Sequence, residues 1–159
     1  MARKQESNLE DALKRAYRFL DYRPRSEAEV RIKLTQLGFS QPIIETTLEK
    51  LRSLKFLDDE AFARGWALGR VQGRGFGPLR VERELQQKGV AETLISQIVQ
   101  ETFSRQGGIE VGKKLLERRF KDKDLGDVKV LRRAVAFLKR RGYQISVIAE
   151  LVEQARPRG

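Results

Sequence analysis

The hydrophobic residues of this 159-residue chain recur at intervals of three and four positions, the spacing that places them on one face of an α-helix. In the first third of the chain this face comprises Leu9, Ala12, Leu13, Ala16, Tyr17, Leu20, Val30, Leu34, Leu37, Ile43, Ile44, Thr47, Leu48 and Leu51. No stretch shows the sustained alternation of apolar and polar residues that a half-buried β-strand requires. The pattern therefore predicts an all-α fold.

Residues that commonly begin helices stand at the boundaries of these apolar runs. Ser26 is followed by Glu29, the spacing of a capping box in which each side chain accepts a hydrogen bond from a free backbone N–H. Asp58 and Asp59 place negative charge at a predicted helix start, where the helix dipole favours it. Pro78 is suited to a first helical position, because its missing N–H costs nothing there. These signals support separate helices rather than one long helix.

One pattern occurs three times, at intervals of about fifty residues. In each copy a glycine follows a helix and precedes an apolar residue, and apolar residues stand at fixed distances on both sides. The glycine pairs are Gly38-Phe39, Gly89-Val90 and Gly142-Tyr143, and the flanking positions are Val30, Val81 and Ala134, Leu34, Leu85 and Leu138, Ile43, Leu94 and Val147, Ile44, Ile95 and Ile148, and Leu48, Val99 and Val152. A further helix is predicted before each copy, at 9–22, 59–72 and 108–121.

The repeat predicts three tandem three-helix units, which span residues 1–57, 58–104 and 105–159. Each unit is too small to bury a large core alone, so the units should lean on their neighbours. Tandem units of this kind form an elongated, curved array.

The composition narrows the possible chemistry. The chain has no cysteine and no histidine, so disulfides, thiolate nucleophiles and zinc sites built from these residues are excluded. Asp58, Asp59 and Glu60 form an acidic trio, which the helix start explains better than catalysis does. Trp66 shares an apolar face with Phe62, and we expect both to lie in the core rather than to stack on bases. We therefore expect no enzyme, no metal and no cofactor.

The targeting signals of the chain are equally sparse. No run of 18 or more apolar residues occurs, so no membrane span is predicted. The N-terminal segment MARKQESNLEDALKRAY lacks the apolar region of a signal peptide. We expect a soluble, cytoplasmic protein of bacterial type that is monomeric and makes no membrane contact.

Charge is the most informative feature of the composition. The formal net charge is +11, from 33 lysines and arginines against 22 acidic residues. Residues 105–159 alone carry 15 basic and 7 acidic residues, whereas 58–104 carry 6 and 7. This excess predicts an acidic partner, first of all nucleic acid or an assembly coated with it. A solvated basic surface without a partner is the alternative.

The glycine-rich segment 73–78, with the sequence GRGFGP, raises the question of a phosphate-binding loop. A dinucleotide-binding loop needs the spacing G-x-G-x-x-G after a strand, and a P-loop needs Gly-Lys followed by Ser or Thr. Neither is present, and a helix is predicted before the segment. We interpret it as a hinge in which Gly73 ends one helix, Phe76 anchors the turn and Gly77 starts the next helix.

Each glycine turn joins two helices and so resembles a helix-turn-helix motif, in which the second helix enters the major groove of DNA. The segments after the three turns, 40–49, 91–101 and 144–154, contain glutamates and no lysine or arginine. Repulsion from phosphate should keep them out of a groove. Sequence-specific DNA reading is therefore not predicted, whereas non-specific phosphate contact stays open.

Four segments of the chain carry a family resemblance: RPRSEAEVRIKLTQLGF, LKFLDDEAFARGWALGR, GFGPLRVERELQQKGV and RRAVAFLKRRGY. They resemble the RecX family of regulators of the RecA recombinase, over about residues 9–153. The most specific positions are Leu57, Asp58, Asp59, Glu60, Phe62, Ala63, Gly77, Pro78, Val81, Leu85, Lys88 and Gly89. The resemblance implies a cytoplasmic bacterial protein of three-helix repeats that acts in DNA repair, homologous recombination and the SOS response.

The resemblance further implies binding in the groove of the RecA–DNA filament, usually with inhibition of strand exchange and of LexA cleavage. Weak direct contact with DNA is a further expectation. The candidate binding residues are Arg70, Arg74, Arg80, Arg83, Lys88, Lys113, Lys114, Arg118, Arg119, Arg132, Arg133, Lys139, Arg140 and Arg141. Two alternatives remain: a non-specific nucleic-acid-binding helical protein without a recombinase partner, and a purely structural scaffold.

Overall fold

The chain is described by a computed structural model that covers residues 2–157, with side chains for 8–104 and 107–157. Over this range it forms nine α-helices and no strand, which confirms the all-α prediction. The helices are α1 (Ala2–Tyr22), α2 (Glu27–Gln36), α3 (Gln41–Ser53), α4 (Asp59–Arg74), α5 (Pro78–Gln87), α6 (Glu92–Thr102), α7 (Arg105–Phe120), α8 (Val128–Arg140) and α9 (Ile145–Ala155). The helices predicted at 9–22, 59–72 and 108–121 correspond to α1, α4 and α7.

The helices group into two compact units. Unit 1 comprises the residues up to Arg64 together with Gln86–Ala91, and unit 2 comprises Gly65–Leu85 together with the residues from Glu92 onward. The division passes through α4 and α5. The repeat boundaries at residues 57/58 and 104/105 stay a prediction.

Unit 1 is built around the pairwise packing of α1, α2 and α3. Its core residues are Ala12, Ala16, Val30, Leu34, Ile44, Leu48, Leu51 and Leu57. Leu34 and Leu48 are fully buried, so truncation of either to alanine should cost about 2–5 kcal/mol. The N-terminus of α2 has the predicted capping box, in which Ser26 and Glu29 each accept the other's backbone N–H.

Unit 2 contains a second core, formed where α7, α8 and α9 pack together. Its buried residues are Leu116, Leu125, Val130, Ala134, Phe137, Leu138, Tyr143, Ile148, Leu151 and Val152. α8 buries one face and exposes Arg132, Arg133, Lys139 and Arg140 on the other. The basic residues of this helix are therefore held at the surface by the packing of its apolar stripe.

The three predicted glycine turns share one backbone geometry. Gly38, Gly89 and Gly142 have φ angles of +86°, +72° and +96°, a left-handed conformation that disfavours a side chain. After Gly38 the chain makes a Schellman motif, in which the Phe39 N–H donates to the Leu34 carbonyl at 3.2 Å. The Tyr143 N–H donates in the same way to Leu138, at 3.2 Å.

In unit 1 the turn at Gly89 packs against the start of α2. The Ser26 hydroxyl donates a hydrogen bond to the Lys88 carbonyl at 2.5 Å. A Cβ added at Gly89 would lie 2.4 Å from the Cβ of Ala28, so the approach requires glycine. Lys88 also donates to the Glu29 carboxylate at 3.2 Å. The turn is thus held by side chains of α2.

In unit 2 the turn at Gly142 packs against the start of α5 at the equivalent position. The Gly77 N–H donates to the Arg141 carbonyl at 2.7 Å, and the Leu79 N–H donates to the Gly142 carbonyl at 3.0 Å. A Cβ at Gly142 would lie 2.5 Å from the backbone nitrogen of Arg80. One at Gly77 would lie 2.6 Å from the Gly142 carbonyl oxygen. The two backbone segments are in direct contact here, so both Gly77 and Gly142 have to be glycine.

The structure refines the interpretation of the segment 73–78. It connects α4 to α5, as the hinge interpretation requires, but α4 includes Gly73 and ends at Arg74. Gly75 is the residue that leaves the helix, with φ of +63°. Phe76 is buried in the turn, and Pro78 begins α5.

The acidic trio at the start of α4 is engaged in three separate contacts. Asp58 accepts the Ala61 N–H at 3.1 Å and caps α4, as predicted. Asp59 instead accepts the Glu27 N–H, at 2.8 Å, and so caps α2. Burial raises the pKa of Asp59, although the hydrogen bond from Glu27 opposes the rise. Glu60 pairs with Arg64 at 2.9 Å.

Candidate functional site

The largest concentration of candidate residues in unit 2 surrounds an open cleft of about 960 Å³ between the end of α4 and α7. We call it the basic cleft; its lining residues are Val71, Gln72, Gly73, Arg74, Gly75, Val111, Lys114, Leu115, Arg118, Arg119, Phe137 and Arg141. Five of the fourteen candidate residues are thus brought together from three parts of the sequence. No carboxylate is among the lining residues.

The charges around the basic cleft are uncompensated over most of its rim. Within the part of the chain that the structure describes, Arg74, Lys114 and Arg118 form no ion pair, and all three are exposed. Arg141 is half-buried and donates to the Arg74 carbonyl at 2.6 Å. These groups produce a positive potential that attracts an acidic ligand.

Part of the basic cleft lining is apolar. It consists of Val71 from α4 and of Val111 and Leu115 from α7, and we call these three residues the apolar floor. The Phe137 ring lies beneath two guanidinium groups, at 5.1 Å from that of Arg141 and 5.9 Å from that of Arg119. The cleft therefore combines a hydrophobic base with a cationic rim.

A second groove of about 320 Å³ runs between α7 and α8. Its basic residues are Arg119, Lys123, Arg133 and Arg140. Phe120 and Phe137 form an edge-to-face pair at its base, with ring centroids 5.9 Å apart. Arg119 lines both this groove and the basic cleft, so the two cationic surfaces are continuous.

A third, smaller pocket of about 170 Å³ adjoins the turn at Gly142. Arg80 and Arg83 of α5 line it together with Lys139 and Arg140 of α8. The Arg80 guanidinium lies 3.9 Å from the centre of the Phe76 ring and donates to the Arg140 carbonyl at 3.1 Å. Arg80 is thus partly committed to holding the turn.

The remaining candidate residues are not gathered into these clefts. Arg70 pairs with Glu84 at 3.2 Å, and its guanidinium lies 4.4 Å from the centre of the Trp66 ring. Trp66 is half-buried and does not lie in the core, where we expected it. Lys88 lies in unit 1, where it pairs with Glu29. Lys113 and Arg132 are exposed and line none of the three clefts.

Sequence reasoning placed Phe76 in a turn and Tyr143 after a repeat glycine, but it did not predict that these aromatic residues organise the basic surface. Phe76 is surrounded by three guanidinium groups, those of Arg80, Arg70 and Arg141, at 3.9, 5.9 and 5.7 Å from its ring centre. Tyr143 donates its hydroxyl to the Gly75 carbonyl at 2.9 Å. Burial raises the pKa of Tyr143 to about 12, although the nearby Arg141 opposes the rise. An apolar residue after each glycine was the available signal for Tyr143.

The residues that the structure describes include neither a metal-binding cluster nor a membrane-spanning helix. No group of three or more acidic side chains is placed to hold a metal ion there. Among the same residues no helix is both long and apolar enough to cross a membrane.

The comparisons with known proteins agree with the resemblance seen in the sequence. The model of the first three-helix domain of RecX matches residues 12–51, and that of the second matches residues 58–98. The regulatory protein RecX of Mycobacterium sp. (strain KMS) is 33% identical over 142 residues, which cover 85% of this chain and 76% of the relative. The chain belongs to the RecX family. The RecX of Trichlorobacter lovleyi is 32% identical, over 87% of this chain and 92% of its own length.

Solved RecX structures share the fold. The crystal structure of RecX from Lactobacillus salivarius covers 94% of this chain and 97% of its own length, with a TM-score of 0.80 and 18% identity. A second crystal structure of regulatory protein RecX has a TM-score of 0.79 and 25% identity, over 96% of this chain and 75% of its own. The helical repeat array is therefore a RecX architecture, and this chain is a regulatory protein of that family. Five of the twelve residues that line the basic cleft lie in the second matched domain, and the other seven lie C-terminal to it, in α7, in α8 and directly after α8.

Proposed function

We propose that this protein binds the RecA–DNA filament in its groove and inhibits the recombinase and co-protease activities of that filament. Membership of the RecX family and the continuous cationic surface of unit 2 support this function. The surface carries ten of the fourteen candidate residues around three adjoining clefts. It acts by binding alone, without catalysis, in the cytoplasm where the filament assembles.

Binding in the groove of the filament explains the inhibition. A nucleoprotein groove exposes both phosphate and protein surface, and the cationic residues of unit 2 suit the acidic parts of both. Many exposed charges that each contribute little can add up to stable binding along a repeating partner. A molecule that contacts adjacent recombinase subunits blocks the entry of a second DNA strand and the addition of further subunits.

The first test compares two targets at one fixed salt concentration. The affinity of the protein is measured for single-stranded DNA that is bare and for the same DNA coated with RecA. We expect a preference for the coated DNA of at least about tenfold, because the coated form offers protein contacts in addition to phosphate. Equal affinity for the two targets would contradict a recombinase partner.

The second test reverses charge on the surface of unit 2. The variant with Arg132, Arg133, Lys139 and Arg140 changed to glutamate should bind coated DNA at least about tenfold more weakly, with unchanged helicity. The control reverses four exposed basic residues of unit 1, namely Lys14, Arg15, Arg18 and Lys50. It changes the net charge by the same amount, so equal loss in both variants would indicate a general charge effect.

The second candidate function is non-specific nucleic-acid binding without a recombinase, which the net charge of +11 favours. It predicts tight binding to bare DNA that weakens steeply as salt is added, because bound counterions are released from the phosphates. A scaffold protein would bind neither target. The slope of affinity against salt on bare DNA therefore separates these alternatives.

A further inference from the structure

The basic cleft has both charged and aliphatic side chains in its lining. Val71, Val111 and Leu115 form its apolar floor beside the basic residues, and no acidic side chain lines it. A site for phosphate alone needs no hydrophobic floor. The apolar base indicates a ligand that has both negative charge and a bulky apolar group.

Single-stranded DNA is a poor match for this floor. Bases bind such clefts by stacking on exposed aromatic rings. The only aromatic residue of the cleft, Phe137, is 9% exposed, and guanidinium groups of Arg119 and Arg141 already lie near its ring. Aliphatic surface is suited instead to a leucine or phenylalanine side chain.

The shape of the cleft favours a short peptide. Its volume of about 960 Å³ exceeds what one side chain occupies and lies at the upper end of the usual range for ligand sites. Gly75, just after α4, approaches α7 closely within this lining, because a Cβ at Gly75 would lie 3.0 Å from the Leu115 side chain. The cleft has room for an apolar side chain and for neighbouring carboxylates.

We propose that the basic cleft binds a short acidic protein segment that carries a bulky apolar side chain. The apolar side chain contacts Val71, Val111 and Leu115, and the carboxylates pair with Arg74, Lys114 and Arg118. The source of the segment, the protein component of the filament, rests on the proposed function. The ligand class rests on the cleft alone.

The test uses the full chain and a fluorescein-labelled peptide, Asp-Glu-Asp-Leu-Phe-Asp-Glu, in fluorescence anisotropy. A peptide of equal charge, with serine in place of leucine and phenylalanine, is the ligand control. We expect the serine peptide to bind at least about tenfold more weakly, since burial of the two apolar side chains is lost. Equal binding of the two peptides would overturn the proposal.

The protein variant is Lys114→Gln with Arg118→Gln, which removes two exposed charges from the rim. We expect it to bind the Leu-Phe peptide about tenfold more weakly. The matched control, Arg18→Gln with Lys50→Gln, removes two exposed charges of unit 1 outside the basic cleft and should change affinity less than about twofold. Equal losses would show that only overall charge matters. Tighter binding of a seven-residue oligothymidine through Lys114 and Arg118 would identify a DNA site and also overturn the proposal.

The same variant separates this inference from the proposed function. If the rim variant loses the peptide but still binds RecA-coated DNA at full affinity, the filament is not the source of the segment, and the proposed function stands. If the unaltered protein shows no preference for coated DNA, the proposed function fails whatever the peptide does. A loss of both affinities in the rim variant alone supports both.

Discussion

The turns at Gly89 and Gly142 occupy the same place in the sequence repeat, yet they contact a helix start through different atoms. At Gly89 the contacts come from side chains, namely the Ser26 hydroxyl, the Ala28 methyl group and the ion pair of Lys88 with Glu29. At Gly142 most of the contacts come from the backbone of both partners, and the Arg80 guanidinium adds one side-chain hydrogen bond to the Arg140 carbonyl. The strength of a side-chain contact changes with substitution and with pH, whereas a close backbone contact leaves no room for an added side chain.

The turn at Gly38 completes the comparison. It has the same left-handed backbone, but a Cβ added there would meet no atom within 4 Å. An added side chain therefore has the same backbone cost at all three glycines, whereas its steric cost increases from Gly38 to Gly89 to Gly142. Alanine substitution measures each step of that increase.

The largest effect is expected for Gly142→Ala. The new methyl group would clash with the backbone nitrogen and Cβ of Arg80, and φ of +96° strains any side chain. Because rigid backbone cannot move aside cheaply, we expect a loss of about 3 kcal/mol or more in the free energy of unfolding. Urea denaturation followed by far-UV circular dichroism measures it. A loss no larger than that of Gly38→Ala would contradict the backbone contact.

Gly89→Ala should cost less, about 2 kcal/mol, because its main clash is with one methyl group, that of Ala28. The same denaturation experiment applies. The double variant with Ala28→Gly removes the clash, so we expect it to be no less stable than Gly89→Ala alone. Additive losses in the double variant would mean that the two positions do not touch.

Gly38→Ala isolates the backbone cost. With no steric clash, only the left-handed conformation opposes the substitution, and we expect a loss of about 1 kcal/mol. The shift of the urea midpoint relative to the unaltered protein gives this value. A loss that matches that of Gly89→Ala would show that the contact with Ala28 has no energetic weight.

The smallest expected effect is a pH dependence confined to the side-chain contact. Burial acts to raise the pKa of Glu29, but hydrogen bonds from Arg23, the Ser26 N–H and Lys88 outweigh it and hold the pKa below its ordinary value of 4.5. The resulting stability is present above pH 4.5 and is lost as the pH falls through the lowered pKa of the folded state.

The measurement is the urea midpoint of the unaltered protein and of Glu29→Gln, taken at neutral pH and at successively lower pH. The difference between the two proteins should shrink as the solution is acidified. A difference that stays constant would show that the Glu29 carboxylate does not favour the folded state. The contact at Gly142 has no acidic residue among the groups that form it, so Gly142→Ala serves as the pH-independent control.

The local features of the fold could be predicted because their causes are local. The capping box at Ser26, the glycine at each turn and the proline at the start of α5 depend on residues a few positions apart. Asp59 shows the limit of such reasoning. Its charge predicted an interaction with the dipole of its own helix. Its carboxylate instead accepts the Glu27 N–H and caps α2, 32 positions away in sequence. Only tertiary packing determines that partner.

The candidate site shows the same division. The sequence located the basic residues of α7 and α8, because runs of lysine and arginine are visible without a structure. It did not predict that Arg74 and Arg118 line one cleft together with apolar residues, because that cleft exists only once α4 packs beside α7. The ion pairs within the protein could not be predicted either. Arg70 and Lys88 were candidate binding residues, yet each has a carboxylate partner.

The buried phenol of Tyr143 gives the molecule an optical reporter at a useful place. Its hydroxyl is tied to the carbonyl of Gly75, a residue that lines the basic cleft. A ligand that separates the end of α4 from α7 would break this hydrogen bond and expose the phenol. The phenol would then ionise at a lower pH than in the unliganded protein. The red-shifted absorption of the phenolate would then record, without any label, whether occupancy loosens or tightens that junction.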